Sequence, residues 1–147
     1  LLPDVIKNVT INGEDADEFL IHAYAAYMLG VPIVAVSGDG DLMRSVRSFN
    51  PQIKTIAVQE GFGGAVVSIH PDLAIERIRK GVKKGLEALE EYTFEKPEEY
   101  ELIIEFKKHA DAYKFSFYPN VEQIGEYTIR YVSNNYMHLL VLLLFIN

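Results

Sequence analysis

Apolar residues follow two kinds of pattern along the chain, and these patterns predict its strands and helices. Short apolar or alternating stretches bounded by Gly, Pro or Asn predict strands, and longer stretches with helical periodicity predict helices. The predicted strands are 5–11, 31–36, 53–58, 65–69, 100–106 and two short pieces around Gly125 that end at Val132. The predicted helices are 19–29, 42–49, 72–91, 109–117 and a terminal helix after Asn134.

The order of these elements predicts the fold class. Strands and helices alternate along the first part of the chain, which is the pattern of βαβ units. The run 31–36 is continuously apolar, as is typical of a strand covered on both faces. We therefore expect an α/β fold with a largely parallel sheet flanked by helices, followed by a smaller β-α-β-β-α unit. The polar segment 93–99 predicts the boundary, so that 1–92 and 93–147 form two domains.

Composition and charge narrow the classes of function. Hydrophobic residues make up 49% of the chain and charged residues 24%, which is ordinary for a globular domain. The net charge of −7 argues against a nucleic-acid partner, because a phosphate backbone requires a basic face. The basic residues from 77 to 84 alternate with apolar ones and predict a solvated helix face. The apolar run 137–146 is about half the ~20 residues that cross a membrane, so it predicts a buried or interface helix.

Cysteine is absent from the sequence. Disulfide bonds, thiolate zinc ligands and a cysteine nucleophile are thereby excluded. The absence fits a cytoplasmic location, and the start of the chain has no signal-peptide pattern.

Glu18 is the first residue that could carry chemistry. Glu18 and His22 are four residues apart and share a helix face, where a carboxylate and an imidazole can bind one metal ion. They are two ligands, however, and zinc takes three or four. Glu18 also follows Asp15 at the spacing of a capping box, which would give it a structural role. Spacing alone favours that structural interpretation.

The second candidate is Ser37-Gly38-Asp39-Gly40-Asp41, at the carboxyl end of the predicted strand 31–36. Ligands of open α/β sheets bind at this edge, and the following helix N-terminus favours anions. Asp39 or Asp41 could equally be the N-cap of that helix, and the two interpretations are evenly matched. The sequence has no Walker loop, nucleophile elbow, zincin helix or dinucleotide fingerprint.

An ordered set of motifs points to one family. The motifs are Ile11-Asn12-Gly13, Glu18, Ala23-Tyr24, residues 31–39, Val58, Glu60-Gly61-Phe62-Gly63, Ile69-His70-Pro71, the strand 101–106 and Asn134-Asn135-Tyr136. In their order and spacing, the chain resembles the zinc-dependent D-aminopeptidases of the dipeptide-transport operon family. The resemblance covers essentially the whole chain, but only the C-terminal half or so of a family member.

The resemblance implies a cytoplasmic metallopeptidase that releases N-terminal D-amino acids from short peptides. It implies zinc as the cofactor, with two ions in each complete subunit, and a ring-like homo-oligomer. Glu18 corresponds to a metal ligand of the family, and we expect Asn12, His22 and Asp39 beside the metal or the substrate. The family's other ligands, an aspartate, a glutamate and two histidines, precede the matched region, as does its catalytic histidine.

These implications set the expected organisation. Residues 1–92 would be the metal-site half, the C-terminal part of a parent catalytic domain, and 93–147 a smaller α+β subdomain. No catalytic residue is assigned, and the chain alone is expected to be inactive.

Four positions depart from the family pattern. Asp17 stands where a small residue, usually glycine, is expected, and His22 where Asn is frequent. Gln59 and Gly64 stand where Lys and Arg are expected.

Two other classes of function remain open. One is a Mg²⁺-dependent α/β phosphatase that uses Asp39 and Asp41. The other is a non-catalytic oligomerisation module, in which the terminal helix and the aromatic residues build an interface.

Overall fold

The computed structural model describes residues 4–146. In chain order the strands are β1 (Ile6–Ile11), β2 (Glu14–Asp15), β3 (Ala35–Asp39), β4 (Lys54–Phe62), β5 (Ala65–Ser68), β6 (Tyr100–Phe106), β7 (Val121–Gln123) and β8 (Thr128–Ser133). The helices are α1 (Glu18–Met28), α2 (Gly40–Phe49), α3 (Pro71–Glu87), α4 (His109–Phe115) and α5 (Tyr136–Ile146), with a 3₁₀ turn at Leu89–Glu91. Within the described part, no helix combines the length and apolar character that a membrane crossing needs.

The chain folds into two compact units. Of the described residues, 4–28 and 96–146 form the first unit, and 29–95 form the second. The first unit is therefore assembled from both ends of the chain. The assignment of 1–92 to a parent catalytic domain stays a prediction.

The first unit is built on a five-stranded antiparallel sheet in the order β2-β1-β6-β8-β7. Asn12 and Gly13 both have positive φ, 53° and 84°, so they form the tight turn that returns β1 into β2. On its other side β1 pairs with β6, with Val9 opposite Ile104. Every second residue of β6 is buried, which places one face of the sheet in the core.

The core of the first unit contains a cluster of tyrosines that joins α1, β6 and α5. The rings of Tyr24, Tyr100 and Tyr136 lie with centroids 4.9 to 5.6 Å apart. The Tyr136 hydroxyl donates a hydrogen bond of 2.9 Å to the carbonyl of Ile21 in α1. Burial raises the pKa of Tyr136, and the neighbouring Tyr100 and Tyr24 raise it further. Leu139 and Leu142 beside it are fully buried.

The second unit has a three-stranded sheet in the order β3-β4-β5, with α2 and α3 packed on it. β3 and β4 are parallel, and β5 returns antiparallel to β4 after a turn at Gly63, where φ is 58°. Helix α3 approaches the sheet closely at two glycines. A Cβ at Gly81 would lie 2.5 Å from the Ile56 side chain, and one at Gly85 would lie 2.4 Å from the Val34 carbonyl oxygen.

The expectation of a largely parallel sheet is wrong. Among the described strands, β3 and β4 form the one parallel pair, and the larger sheet is antiparallel throughout. The alternation of strands and helices predicted parallel pairing between β1 and β3, and this pairing does not form. The Asn12-Gly13 turn makes a hairpin of β1 and β2, and the other edge of β1 pairs with the distant β6. The run 31–36 is strand only from Ala35 onward, and its described residues are exposed or half-buried.

Candidate functional site

Helix α1 begins at Glu18, and Asp17 is its N-cap. The Asp17 carboxylate accepts a 2.7 Å hydrogen bond from the amide of Leu20, which satisfies one of the free N–H groups of the first turn. Asp15, expected as the cap, lies in β2 and accepts a 3.2 Å hydrogen bond from the Asn8 side chain. The expected capping box is therefore wrong, and the Glu18 carboxylate is exposed at the helix start.

His22 lies one turn after Glu18 on the same helix. Its Nδ1 is 2.7 Å from the backbone carbonyl of Glu18. A carbonyl oxygen can only accept, so Nδ1 carries the proton and the lone pair of the neutral ring is on Nε2. Metal-binding histidines have this arrangement, because a hydrogen bond from one ring nitrogen fixes the tautomer that leaves the other free.

Glu18 and His22 line one cavity of about 610 Å³ within the first unit. We call it the α1–α5 cavity, since its walls come from those two helices and from the residues just before α1. Its lining residues are Ala16, Asp17, Glu18, Ile21, His22, Leu140, Leu143 and Leu144. The lining from α1 and the residues before it is largely acidic and polar, and the lining from α5 is aliphatic.

The other two predicted site residues are not among the residues that line this cavity. The Asn12 side chain accepts a 2.8 Å hydrogen bond from the Glu101 amide and donates one of 3.4 Å to the Glu99 carbonyl, so it holds β1 against the start of β6. Asp39 lies in the second unit as the N-cap of α2, where its carboxylate accepts a 2.8 Å hydrogen bond from the Leu42 amide. Glu18 and His22 are brought together, and a role for Asn12 or Asp39 stays a prediction.

The residues of this cavity fit part of a zinc site. Glu18 and His22 offer one carboxylate and one imidazole nitrogen, whereas zinc sites in proteins take three or four ligands. Within residues 4–146, no group of three or more histidine, aspartate or glutamate side chains could hold a metal ion. No chemical step can be derived from a complete metal centre in the described chain.

The magnesium interpretation of Asp39 and Asp41 gains no support from the geometry. Asp39 caps α2, and Asp41 forms an ion pair with Arg44 one turn later in that helix. Both carboxylates therefore already have structural partners within α2.

Two features of the cavity were missed from the sequence. The capping role of Asp17 is one of them, although an Asp directly before a helix is a usual capping signal. Leu140, Leu143 and Leu144 have the spacing of one helix face. In a helix that is apolar on every side, this spacing gave no sign of a cavity.

Comparisons with known proteins support the resemblance. The sequence model of a family described as D-aminopeptidase matches residues 1–145. The fold is similar to a solved structure, "Zn-dependent D-aminopeptidase DppA from Bacillus subtilis, a self-compartmentalizing protease", with a TM-score of 0.74 and 23% identity. The similarity covers 97% of this chain and 54% of that one, so this chain spans about half the length of its match. A search of curated proteins finds no match.

Proposed function

Because the chain belongs to the D-aminopeptidase family, we propose that the protein is a zinc-dependent peptidase that removes N-terminal D-amino acids from short peptides. The observation that carries this proposal is the position of Glu18. Its carboxylate is exposed at the first turn of α1 and faces a cavity together with His22, in a chain that the family model matches almost from end to end.

The roles proposed for the residues combine what the resemblance implies with their geometry. Glu18 is one of the metal ligands, and the buried face of α1 holds its helix on the core. His22, held through Nδ1 by the Glu18 carbonyl, supports the metal or its bound water through Nε2. Asn12 and Asp39 are engaged with the backbone, so we assign them positioning roles. Bound zinc would polarise the scissile carbonyl and lower the pKa of a bound water towards neutrality.

The proposal also covers the number of zinc ions, the remaining ligands, the cellular location and the assembly that the resemblance implies. It assigns two zinc ions to each complete subunit, and it assigns the remaining ligands and the catalytic histidine to residues outside this sequence. It also includes a cytoplasmic homo-oligomer. The name of the similar structure, a self-compartmentalizing protease, supports assembly. So do three exposed apolar side chains of the β4–β5 hairpin, Phe62, Val66 and Val67. Sedimentation velocity tests assembly, and a monomer at micromolar concentration would contradict it.

The test of the activity compares Glu18→Gln with Glu126→Gln in the purified protein, after its intact mass has been determined. Gln keeps the shape of the side chain and removes the charge. We expect zinc content, measured by mass spectrometry, to fall in Glu18→Gln. Release of D-amino acids should fall by more than the ~10–100-fold that loss of an outer partner costs. Glu126, exposed before β8, is the control and should leave both unchanged.

Thermal unfolding of both variants separates a local effect from loss of the fold. Glu18 makes no ion pair with another described residue, so after removal of zinc with a chelator Glu18→Gln should unfold at the temperature of the metal-free parent protein. Unchanged zinc content and turnover in Glu18→Gln would refute the proposed role. Cleavage of L-peptides in preference to D-peptides would refute the proposed substrate class.

A further inference from the structure

The α1–α5 cavity has a second property, which its metal-binding side does not explain. Its aliphatic wall is formed by Leu140, Leu143 and Leu144 of α5 together with Ile21 of α1. Leu143 is buried, whereas Leu144 is 73% exposed at the edge of the cavity. Such a wall can hold an alkyl or aromatic group and removes its apolar surface from water.

The lining at the start of α1 carries two neighbouring negative charges. Asp17 and Glu18 are both exposed, and neither has a lysine or arginine within ion-pair distance among residues 4–146. The hydrogen bond from the Leu20 amide occupies one oxygen of the Asp17 carboxylate and brings no cationic side chain to it. The cavity is therefore complementary to a ligand that carries both a cation and an apolar group.

The N-terminus of a peptide with a bulky apolar first residue has this chemistry, because its α-ammonium is one bond from the carbon that carries the side chain. Resting on the proposed function, we propose that the α1–α5 cavity is the subsite for the N-terminal residue of the substrate. Asp17 binds the ammonium group and the α5 wall, with Leu144 at its edge, binds the side chain. The enzyme then prefers a first residue such as D-leucine over D-alanine.

Three small ligands test this subsite on the zinc-loaded protein by isothermal titration calorimetry: D-leucinamide, D-alaninamide and 4-methylpentanamide, which is leucinamide without its amino group. We expect D-leucinamide to bind at least about tenfold more tightly than D-alaninamide, because three additional carbons enter an apolar pocket. The amide without the amino group should bind weakly. Equal affinities for the two amino-acid amides would overturn the proposal.

Two matched variants locate the specificity. Leu144→Ala should reduce the ratio of D-leucinamide to D-alaninamide affinity by about fivefold, through loss of apolar contact area. Phe145→Ala is the control, because Phe145 is a similarly exposed neighbour, 67% accessible, that contacts Tyr118 and does not line the cavity. An equal effect of both variants would overturn the role of the α5 wall.

Asp17→Asn tests the ammonium contact without removing the helix cap, since Asn is as good an N-cap as Asp. Asp17→Asn should weaken the binding of both amino-acid amides equally and leave the affinity for 4-methylpentanamide unchanged. An unchanged affinity for the amino-acid amides would overturn the role of Asp17.

Hydrolysis of D-leucine and D-alanine p-nitroanilides separates the proposed subsite from the proposed function. D-peptidase activity that is indifferent to Leu144→Ala refutes the subsite alone, whereas the expected binding pattern without any hydrolysis refutes the proposed function.

Discussion

The buried hydroxyl of Tyr136 gives a prediction that can be worked through from the structure. Tyr136 is 1% exposed, and its hydroxyl donates to the Ile21 carbonyl at 2.9 Å. Tyr136→Phe removes this hydrogen bond and keeps the ring that packs on Tyr24 and Tyr100. At pH 8 the free energy of unfolding should fall by about 1 kcal/mol, the net contribution of one such bond.

The sign of this effect should reverse at alkaline pH. Burial raises the pKa of Tyr136 in the folded state, so above pH ~10 the unfolded chain loses the phenolic proton while the folded chain keeps it. The parent protein then loses about 1.4 kcal/mol of stability per pH unit through this group. Tyr136→Phe has no proton to lose there. The two stability curves should therefore cross between about pH 10.5 and 11.

Urea unfolding followed by circular dichroism, repeated from pH 8 to pH 11, measures both curves. Tyr113→Phe is the control, because Tyr113 is 61% exposed, and its curve should run parallel to that of the parent protein. A difference between Tyr136→Phe and the parent that stays constant over the whole range would refute the reasoning.

Two further predictions concern the second unit. Asp39→Ala should lower stability by about 1 kcal/mol through loss of the α2 cap, whereas Asp39→Asn keeps the cap and should be neutral by thermal unfolding. If Asp39→Asn instead abolished a Mg²⁺-dependent phosphatase activity, the capping explanation would fail. Gly85→Ala should cost about 1–3 kcal/mol, because its Cβ would lie 2.4 Å from the Val34 carbonyl oxygen and α3 would have to shift. Gly64→Ala, where a Cβ meets nothing within 4 Å, is its control in urea unfolding.

The sequence predicted most elements of the fold but not how the strands pair. Alternation along 100–106 marked β6 correctly, because each second residue faces the core. Pairing depends on contacts between residues far apart in the chain, such as Val9 with Ile104. The periodicity within one strand does not indicate which other strand it pairs with. The Asn12-Gly13 pair is the one local signal for the hairpin, and such a pair marks the end of a strand whether or not a paired strand follows.

The candidate site was predictable to a smaller extent. The i, i+4 spacing correctly placed Glu18 and His22 on one face of a helix, where they line the same cavity. The contribution of α5 could not be predicted, because Leu140 and Leu144 are more than a hundred residues from Glu18 in sequence. Their contact with α1 depends on tertiary packing, for which a uniformly apolar helix gives no directional signal.

The same helix pair that stabilises the first unit also sets the shape of the α1–α5 cavity, and this decides which substitutions can report on function. Tyr136 and Leu142 lie fully inside the core and hold α5 on the unit. Substitutions there would change stability and cavity shape together. Leu144 lines the cavity from the exposed side of α5, so its truncation removes contact area from a ligand and little from the core. A change in ligand preference in Leu144→Ala, with unchanged unfolding, can therefore be attributed to the cavity wall itself.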